Sequence, residues 1–338
     1  MDKIDILKQL VMFDTTTNKK NYEVFSYIKS LSDKFYYDEF EFNGYKILIV
    51  KNKDVKKFDY AFLTHIDVVP SDNFDYKIIG DKFYGRGSFD MKGSIATILE
   101  LLINNNFNKN IGLIITSDEE IGGFNGAFQV LENYDIDFCI VPDGGNNFDI
   151  IIEEKGVLNL ELCLETKSGH ASMPWHHKGA AYEMIDIINK IYDKYPNPIS
   201  EEDYKTSIIV SSIDTNNEIF NQVPSKATVK LDIRFIKDDN KEDIIHFIKS
   251  LNNNLKVDII NFGENYYCDV DERFYNIVYK NISKKPKVTF ASSASDARFL
   301  KCKSQIINPI GGNMHDKDEY VSLKSLDILY NIFYDYIV

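Results

Sequence analysis

Tyr60-Ala61-Phe62-Leu63-Thr64-His65-Ile66-Asp67-Val68-Val69-Pro70 is the stretch on which the fold turns. The run Tyr60–Thr64 is short and apolar, as a buried strand requires, and polar residues follow it directly. In an extended segment, side chains two apart project to the same side, so His65 and Asp67 face one pocket. An imidazole that binds a metal commonly needs a carboxylate on its other nitrogen to fix tautomer and ring orientation, and Asp67 is placed to serve that purpose. Open α/β sheets hold their ligands at strand ends of this kind.

Further short apolar runs lie at Ile47–Val50, Ile111–Thr116, Phe138–Val141 and Ile150–Ile152. Between them Ser94–Ile103 has helical spacing (Ile95, Ile98, Leu99, Leu102) and follows Gly93. Strand–helix–strand alternation argues for an α/β layer on a largely parallel sheet. From Val157 to Glu165 the pattern becomes an apolar–polar alternation, as in a half-buried antiparallel strand. Then come a helix over Ala180–Tyr192, a Pro-containing acidic loop over 195–203, and strands at Ser207–Ile213 and Ala227–Phe235. A helix at Lys241–Leu251 and a strand at Leu255–Ile260 complete the order βαββαβ, a ferredoxin-like split unit. The chain then returns to helix, strand and helix, closing on Leu323–Ile337. This order predicts a discontinuous α/β domain, residues 1–154 and 267–338, with an α+β domain, residues 155–266, inserted in it.

Bulk properties agree with such a protein. A chain of 338 residues suits two domains better than one core. Its 44% hydrophobic and 27% charged residues are ordinary for a soluble enzyme. A net charge of −13 argues against nucleic acid or an anionic membrane as partner. Met1–Thr17 lacks the basic start and cleavage site of a signal peptide. No apolar run approaches the roughly 18 residues of a membrane span. Cys139, Cys163, Cys268 and Cys302 fit no close-spaced metal or redox motif and read as small hydrophobes in a reducing compartment, so a cytoplasmic location is expected.

Four more polar stretches stand at strand ends. Gly85-Arg86-Gly87-Ser88-Phe89-Asp90-Met91-Lys92-Gly93 packs glycines around Asp90 ahead of a helix, letting backbone come close to an ion. Thr116-Ser117-Asp118-Glu119-Glu120 sets three carboxylates side by side, which repel one another unless solvated or neutralised by a cation. Val141-Pro142-Asp143 and Gly311-Gly312-Asn313-Met314-His315 add an acid and an imidazole. Taken singly, each has an ordinary reading: an N-capping Asp, a charged surface turn, a structural His. Their joint occurrence in one domain points to a metal centre. Oxygen and imidazole donors without thiolate suit Zn, Mn or Co. Five ligands, His65, Asp90, Glu120, Asp143 and His315, with one carboxylate bridging, suffice for two divalent ions and leave Glu119 as a base.

In this order the motifs resemble the M20 family of metallopeptidases and deacylases, which includes acetylornithine deacetylases, succinyl-diaminopimelate desuccinylases, aminoacylases and di- and tripeptidases. The resemblance covers nearly the whole chain. It implies a zinc-exopeptidase-like catalytic domain with a mixed, largely parallel sheet, and makes the inserted unit a lid and dimerisation domain. It also implies that Asp90 bridges two ions, that His65 and Asp143 complete one, and that Glu120 and His315 complete the other. Asp67 would orient His65, Glu119 would be the general base, and the Asp90–Met91 peptide would be cis. Ser168-Gly169-His170-Ala171-Ser172-Met173-Pro174 is similar to the family's His loop, whose His helps stabilise an oxyanion, often in the partner subunit's site. Asn221-Gln222-Val223-Pro224, Leu231–Phe235 and Ser295–Phe299 match further segments, making Asn221, Arg234 and Ser295 substrate-binding candidates. Arg234 at a strand end could pair bidentately with a substrate carboxylate. Asp143 stands where many deacylases carry Glu, and Ala294 where desuccinylase-like members tend to have Thr. Asp143 favours the peptidase branches, and both residues speak against a specific desuccinylase.

The expected activity is hydrolysis of the amide bond of a small carboxylate-bearing substrate, a di- or tripeptide first, by metal-activated water with Glu119 as base. An N-acyl amino acid is the competing substrate class. A catalytically silent binding protein on the same fold is the remote alternative; it predicts decay of a ligand or of the base, yet all six positions are filled. The resemblance further implies a homodimer through the inserted domain.

Overall fold

Strand Lys57–His65 has a parallel neighbour on each side, Ile111–Thr116 with Tyr60 opposite Ile111, and Asp135–Val141 with Tyr60 opposite Phe138. A parallel strand covered on both faces must be apolar almost throughout, and every position of Ile111–Thr116 is buried. The computed structural model describes residues 1–200 and 202–338; within the acidic loop expected over 195–203, Glu201 lies outside the described residues. The chain divides into two units, Met1–Ile152 with Cys268–Val338, and Glu153–Tyr267. Cys268 N donates to Ile152 O at 3.0 Å, so the first unit resumes beside the point where it broke off. Among the described residues no helix is long and apolar enough to cross a membrane.

In the first unit the sheet order is Tyr36–Phe42, Tyr45–Lys51, Ile111–Thr116, Lys57–His65, Asp135–Val141, Lys303–Ile307, and then the strand that opens at Ile150. The inner strands are parallel, and the first two form an antiparallel hairpin. That hairpin turns through Asn43-Gly44, with φ of +51° and +81°, the pairing that matches the right-handed twist of two strands. Helices Lys3–Met12, Gly93–Asn104 and Leu323–Ile337 pack together over the sheet through Leu7, Leu10, Leu99, Leu329 and Phe333. The ring of Phe333 meets Phe62 with centroids 4.9 Å apart. Cys139 is buried; Cys163, Cys268 and Cys302 are half-buried, and all four are free thiols.

The hairpin carries a buried charge. Lys51 is 2% exposed and pairs with Asp38 at 2.9 Å and with Asp54 at 2.9 Å, while the Tyr134 hydroxyl donates to Asp38 at 2.6 Å. Burial pushes the Asp38 carboxyl up, but Tyr134 and Lys51 outweigh it and hold the group below its ordinary value of 3.8. A depressed folded value contributes stability above the unfolded value, which is lost as pH falls through the folded one. Asp38→Asn is expected to cost about 2 kcal/mol at neutral pH, the worth of a hydrogen bond to a charged group. Urea melts across the acid range check this. The gap between wild type and variant should close below 3.8; a gap that stays constant into acid would remove the charge from the argument.

The second unit has four antiparallel strands in the order Ser207–Asp214, Lys226–Phe235, Gly156–Glu165, Leu255–Gly263. Helices Ala180–Lys194 and Lys241–Ser250 cover one face through Met184, Ile187, Ile191, Ile244 and Ile248. Leu158, Leu160, Leu162 and Leu164 turn to those helices while Asn159, Glu161 and Cys163 do not, which is the period of two read in the sequence.

Candidate metal centre

Because Lys57–His65, Ile111–Thr116 and Asp135–Val141 run parallel, their carboxyl ends share one edge of the sheet. His65 closes the first strand opposite Thr116; Glu119 and Glu120 follow the second in a single 3₁₀ turn, Glu119–Ile121; Asp143 follows the third. Asp90 comes from the loop ahead of helix Gly93–Asn104, and His315 from the turn after the short strand Gly311–Gly312. Gly93 keeps that loop closed, since a β-carbon there would lie 2.5 Å from Ser88 O. The Asp90–Met91 peptide bond is cis.

Asp90 presents one oxygen to each imidazole: Oδ1 lies 3.0 Å from His65 Nε2, and Oδ2 lies 3.2 Å from His315 Nε2. Asp143 Oδ2 is 3.8 Å from His65 Nε2, and Glu120 Oε2 is 3.3 Å from His315 Nε2. Two sets of ligand atoms result, His65 with Glu119 and Asp143, and Asp90 with Glu120 and His315, each lying within 4.8 Å of one another. The structure thus brings together all five candidate ligands and Glu119.

Asp67 acts in two ways. His65 Nδ1 donates to its backbone carbonyl at 3.0 Å, so a neutral ring carries its proton on Nδ1 and offers Nε2 as the lone-pair donor. Its carboxylate is farther from that nitrogen, at 3.5 Å. The carboxylate instead accepts from Thr17 Oγ1 at 2.9 Å and from the backbone N–H groups of Glu119 and Glu120 at 3.3 and 3.2 Å. One buried acid therefore holds the turn that carries both glutamates.

The charges around the two imidazoles fit a cation. Asp90 and Glu120 push the His315 pKa up to about 10 against its partial burial. For His65, burial opposes protonation, yet Asp67, Asp90 and Asp143 raise its pKa well above the ordinary value. Burial, with Asp143, Asp296 and Asp67 nearby, raises Glu119 well above a normal carboxyl despite His65. A donor set this rich in carboxylates favours a proton or a cation at both imidazoles. Oxygen and imidazole donors of this number fit divalent ions of the zinc, manganese or cobalt type.

The remaining polar residues singled out in the sequence have local partners of their own. Asp118 turns inward, accepting from Asn125 N at 2.7 Å. Ser295 caps a 3₁₀ turn, its Oγ accepting from Ala297 N at 3.3 Å. In the second unit His170 is exposed, its Nδ1 2.7 Å from Ser172 Oγ; Asn221 is exposed; and Arg234 forms a fork on Asp232 at 2.7 and 3.1 Å. Two residues with no sequence-based role join the centre. Thr17 is one. Glu319 is the other: 1% exposed, it accepts from Arg86 Nη1 at 2.8 Å and Gly87 N at 2.9 Å on one oxygen, and from Phe89 N at 2.9 Å and Asp90 N at 3.1 Å on the other.

Comparison with known proteins places this geometry. Residues 61–338 match the family described as "Peptidase family M20/M25/M40". The chain is 28% identical over 319 residues to the succinyl-diaminopimelate desuccinylase of Rickettsia prowazekii (strain Madrid E), covering 82% of each. It is 28% identical over 387 aligned positions to that of Orientia tsutsugamushi (strain Ikeda), covering 98% of this chain and 94% of the relative. Among solved structures it is similar to aminopeptidase PepT from Bacillus cereus ATCC 10987, with a TM-score of 0.79 at 18% identity, over 99% of this chain and 97% of the other. A similar match is the M20 family metallo-carboxypeptidase Sso-CP2 from Sulfolobus solfataricus, with a TM-score of 0.76 at 17% identity, over 100% and 99%. At these identities the structures speak to the fold alone.

Proposed function

The chain belongs to peptidase family M20/M25/M40, and from that premise we propose that it hydrolyses the amide bond of a small carboxylate-bearing substrate, a di- or tripeptide first. The observation that carries the reading is the Asp90 carboxylate, one oxygen facing each of two imidazoles, with Asp143 and Glu120 at hand to complete both groups. In this reading His65, Asp90 and Asp143 hold one divalent ion and Asp90, Glu120 and His315 the other, zinc first, with manganese or cobalt as alternatives. Such ions polarise a substrate carbonyl and make water acidic near neutral pH.

The chain's own groups do the rest. Glu119, its proton affinity raised by burial, takes a proton from the attacking water and returns it to the nitrogen of the leaving amine. Asp67 keeps that side chain aimed by gripping its backbone N–H. His170, Asn221, Arg234 and Ser295 are assigned to the substrate on the likeness of their segments. Arg234 would exchange its Asp232 fork for a substrate carboxylate.

A second reading is supported by the relatives, whose name, succinyl-diaminopimelate desuccinylase, makes an N-acyl amino acid the competing substrate. Asp143 weighs on the peptide side, and Ala294 weighs against a desuccinylase in particular. Purified protein loaded with zinc or manganese is to be assayed on a panel of di- and tripeptides beside N-acetyl and N-succinyl amino acids. Metal-dependent turnover of the peptide half is the expected outcome. Preference for the acyl half moves the assignment to a deacylase, and silence on both sides with metal bound would move the substrate outside both classes or revive the binding-protein alternative.

A further inference from the structure

We infer that Glu319, through its ion pair with Arg86, is the positioning residue for the half of the metal centre formed by Asp90, Glu120 and His315. This rests on the two-ion reading above and goes beyond it. The loop from Gly85 to Asp90 turns through Gly87 at φ +78° and directs the N–H groups of Gly87, Phe89 and Asp90 inward, where water does not reach them. All three converge on the Glu319 carboxylate, and the last belongs to the residue that faces both imidazoles. Buried N–H groups need acceptors, but any carbonyl would meet that need. A carboxylate adds a fixed charge, and that charge recruits Arg86.

Arg86 extends the grip to the second ligand. One arm of its guanidinium donates to Glu319 Oε2 at 2.8 Å and the other to the backbone carbonyl of His315 at 3.1 Å. His315 sits at φ +66°, a left-handed conformation disfavoured for a residue with a β-carbon, so its carbonyl needs holding. Glu319 is itself anchored: its carbonyl accepts from Gly85 N at 3.1 Å, and the next residues, Tyr320–Ser322, pair with Lys82–Tyr84. A single ion pair thus sets the spacing between Asp90 and His315, two of the three donors in that half. The His65 ring is held separately, by the backbone carbonyl of Asp67.

Two variants test this. Glu319→Gln keeps the shape but puts an amide nitrogen where an acceptor stood. Arg86→Lys keeps the charge but loses the fork that spans Glu319 and His315. Each is prepared metal-free, titrated with zinc while bound ions are counted, and titrated with cobalt while the visible absorption is followed. His315→Ala serves as the reference for loss of that half. Both variants should hold the equivalent that His315→Ala removes about 10- to 100-fold more weakly, and the other, which shares Asp90 but not His315, with a smaller loss. The cobalt band that changes should be the one His315→Ala removes, while the metal-free proteins melt within a few degrees of wild type. Wild-type affinities and spectra in both variants would overturn the inference, as would equal weakening of both equivalents. A wild-type protein that binds fewer than two ions defeats the two-ion reading instead, and is seen before any variant is made.

Discussion

Glu119→Gln should lower kcat about 10³-fold, within the 10²- to 10⁴-fold range that a positioned general base contributes. The amide keeps the size of the side chain and its place beside His65 and Asp143, but it cannot take a proton. The five candidate ligands are untouched, so the variant should bind metal as wild type does, and KM should move little. Burial lifts the Glu119 carboxyl well above its ordinary value, the direction a proton acceptor near neutral pH requires. Metal content is to be measured beside steady-state rates. A variant that turns over at near-normal speed with full metal would remove Glu119 from the base role and leave the metal assignment intact.

Stripping the metal should abolish activity and soften the fold. Asp90, Glu119, Glu120 and Asp143 crowd two imidazoles, and without a cation only protons relieve that crowding. An ion that binds the folded chain and not the unfolded one adds about 2.7 kcal/mol at one hundred times its Kd. Thermal melts with chelator, and again after zinc is restored, read this as a rise in Tm that follows metal concentration. Activity should return along the same curve. Undiminished activity, or an unchanged Tm, in protein shown to be free of metal would sink the prediction.

The parts of this architecture written in local pattern were readable from sequence. Ile111–Thr116 is apolar at nearly every position because both faces are covered, and the alternation of Val157–Glu165 follows from one covered face. Ligand candidates were visible because parallel strands end in polar residues at one edge. Tyr36–Phe42 was not foreseen as a strand: its aromatics and acids at the sheet's edge blur the apolar signal, although Asn43-Gly44 marked the turn beside it. Among three adjacent acids, sequence alone could not say that Asp118 turns inward; the 3₁₀ turn after it decides that. Thr17 and Glu319 were out of reach for another reason. Their partners lie 50 and more than 200 positions away, and Glu319 stands in a stretch, His315-Asp316-Lys317-Asp318-Glu319, that reads as solvated surface.

The hydrogen bond from Cys268 to Ile152 has a bearing on how such a chain is assembled. The host sheet leaves off and resumes at neighbouring points, so everything between them is hung from a closed gap, like a charm clipped to a ring. Whatever is hung there subtends no distance in the host. Its length therefore bears only weakly on host stability, since the entropy of closing a loop grows with the logarithm of its size. Seen this way, a change in the length of Glu153–Tyr267 costs the host little, and the strands whose ends gather the candidate ligands, Lys57–His65, Ile111–Thr116 and Asp135–Val141, all lie outside it.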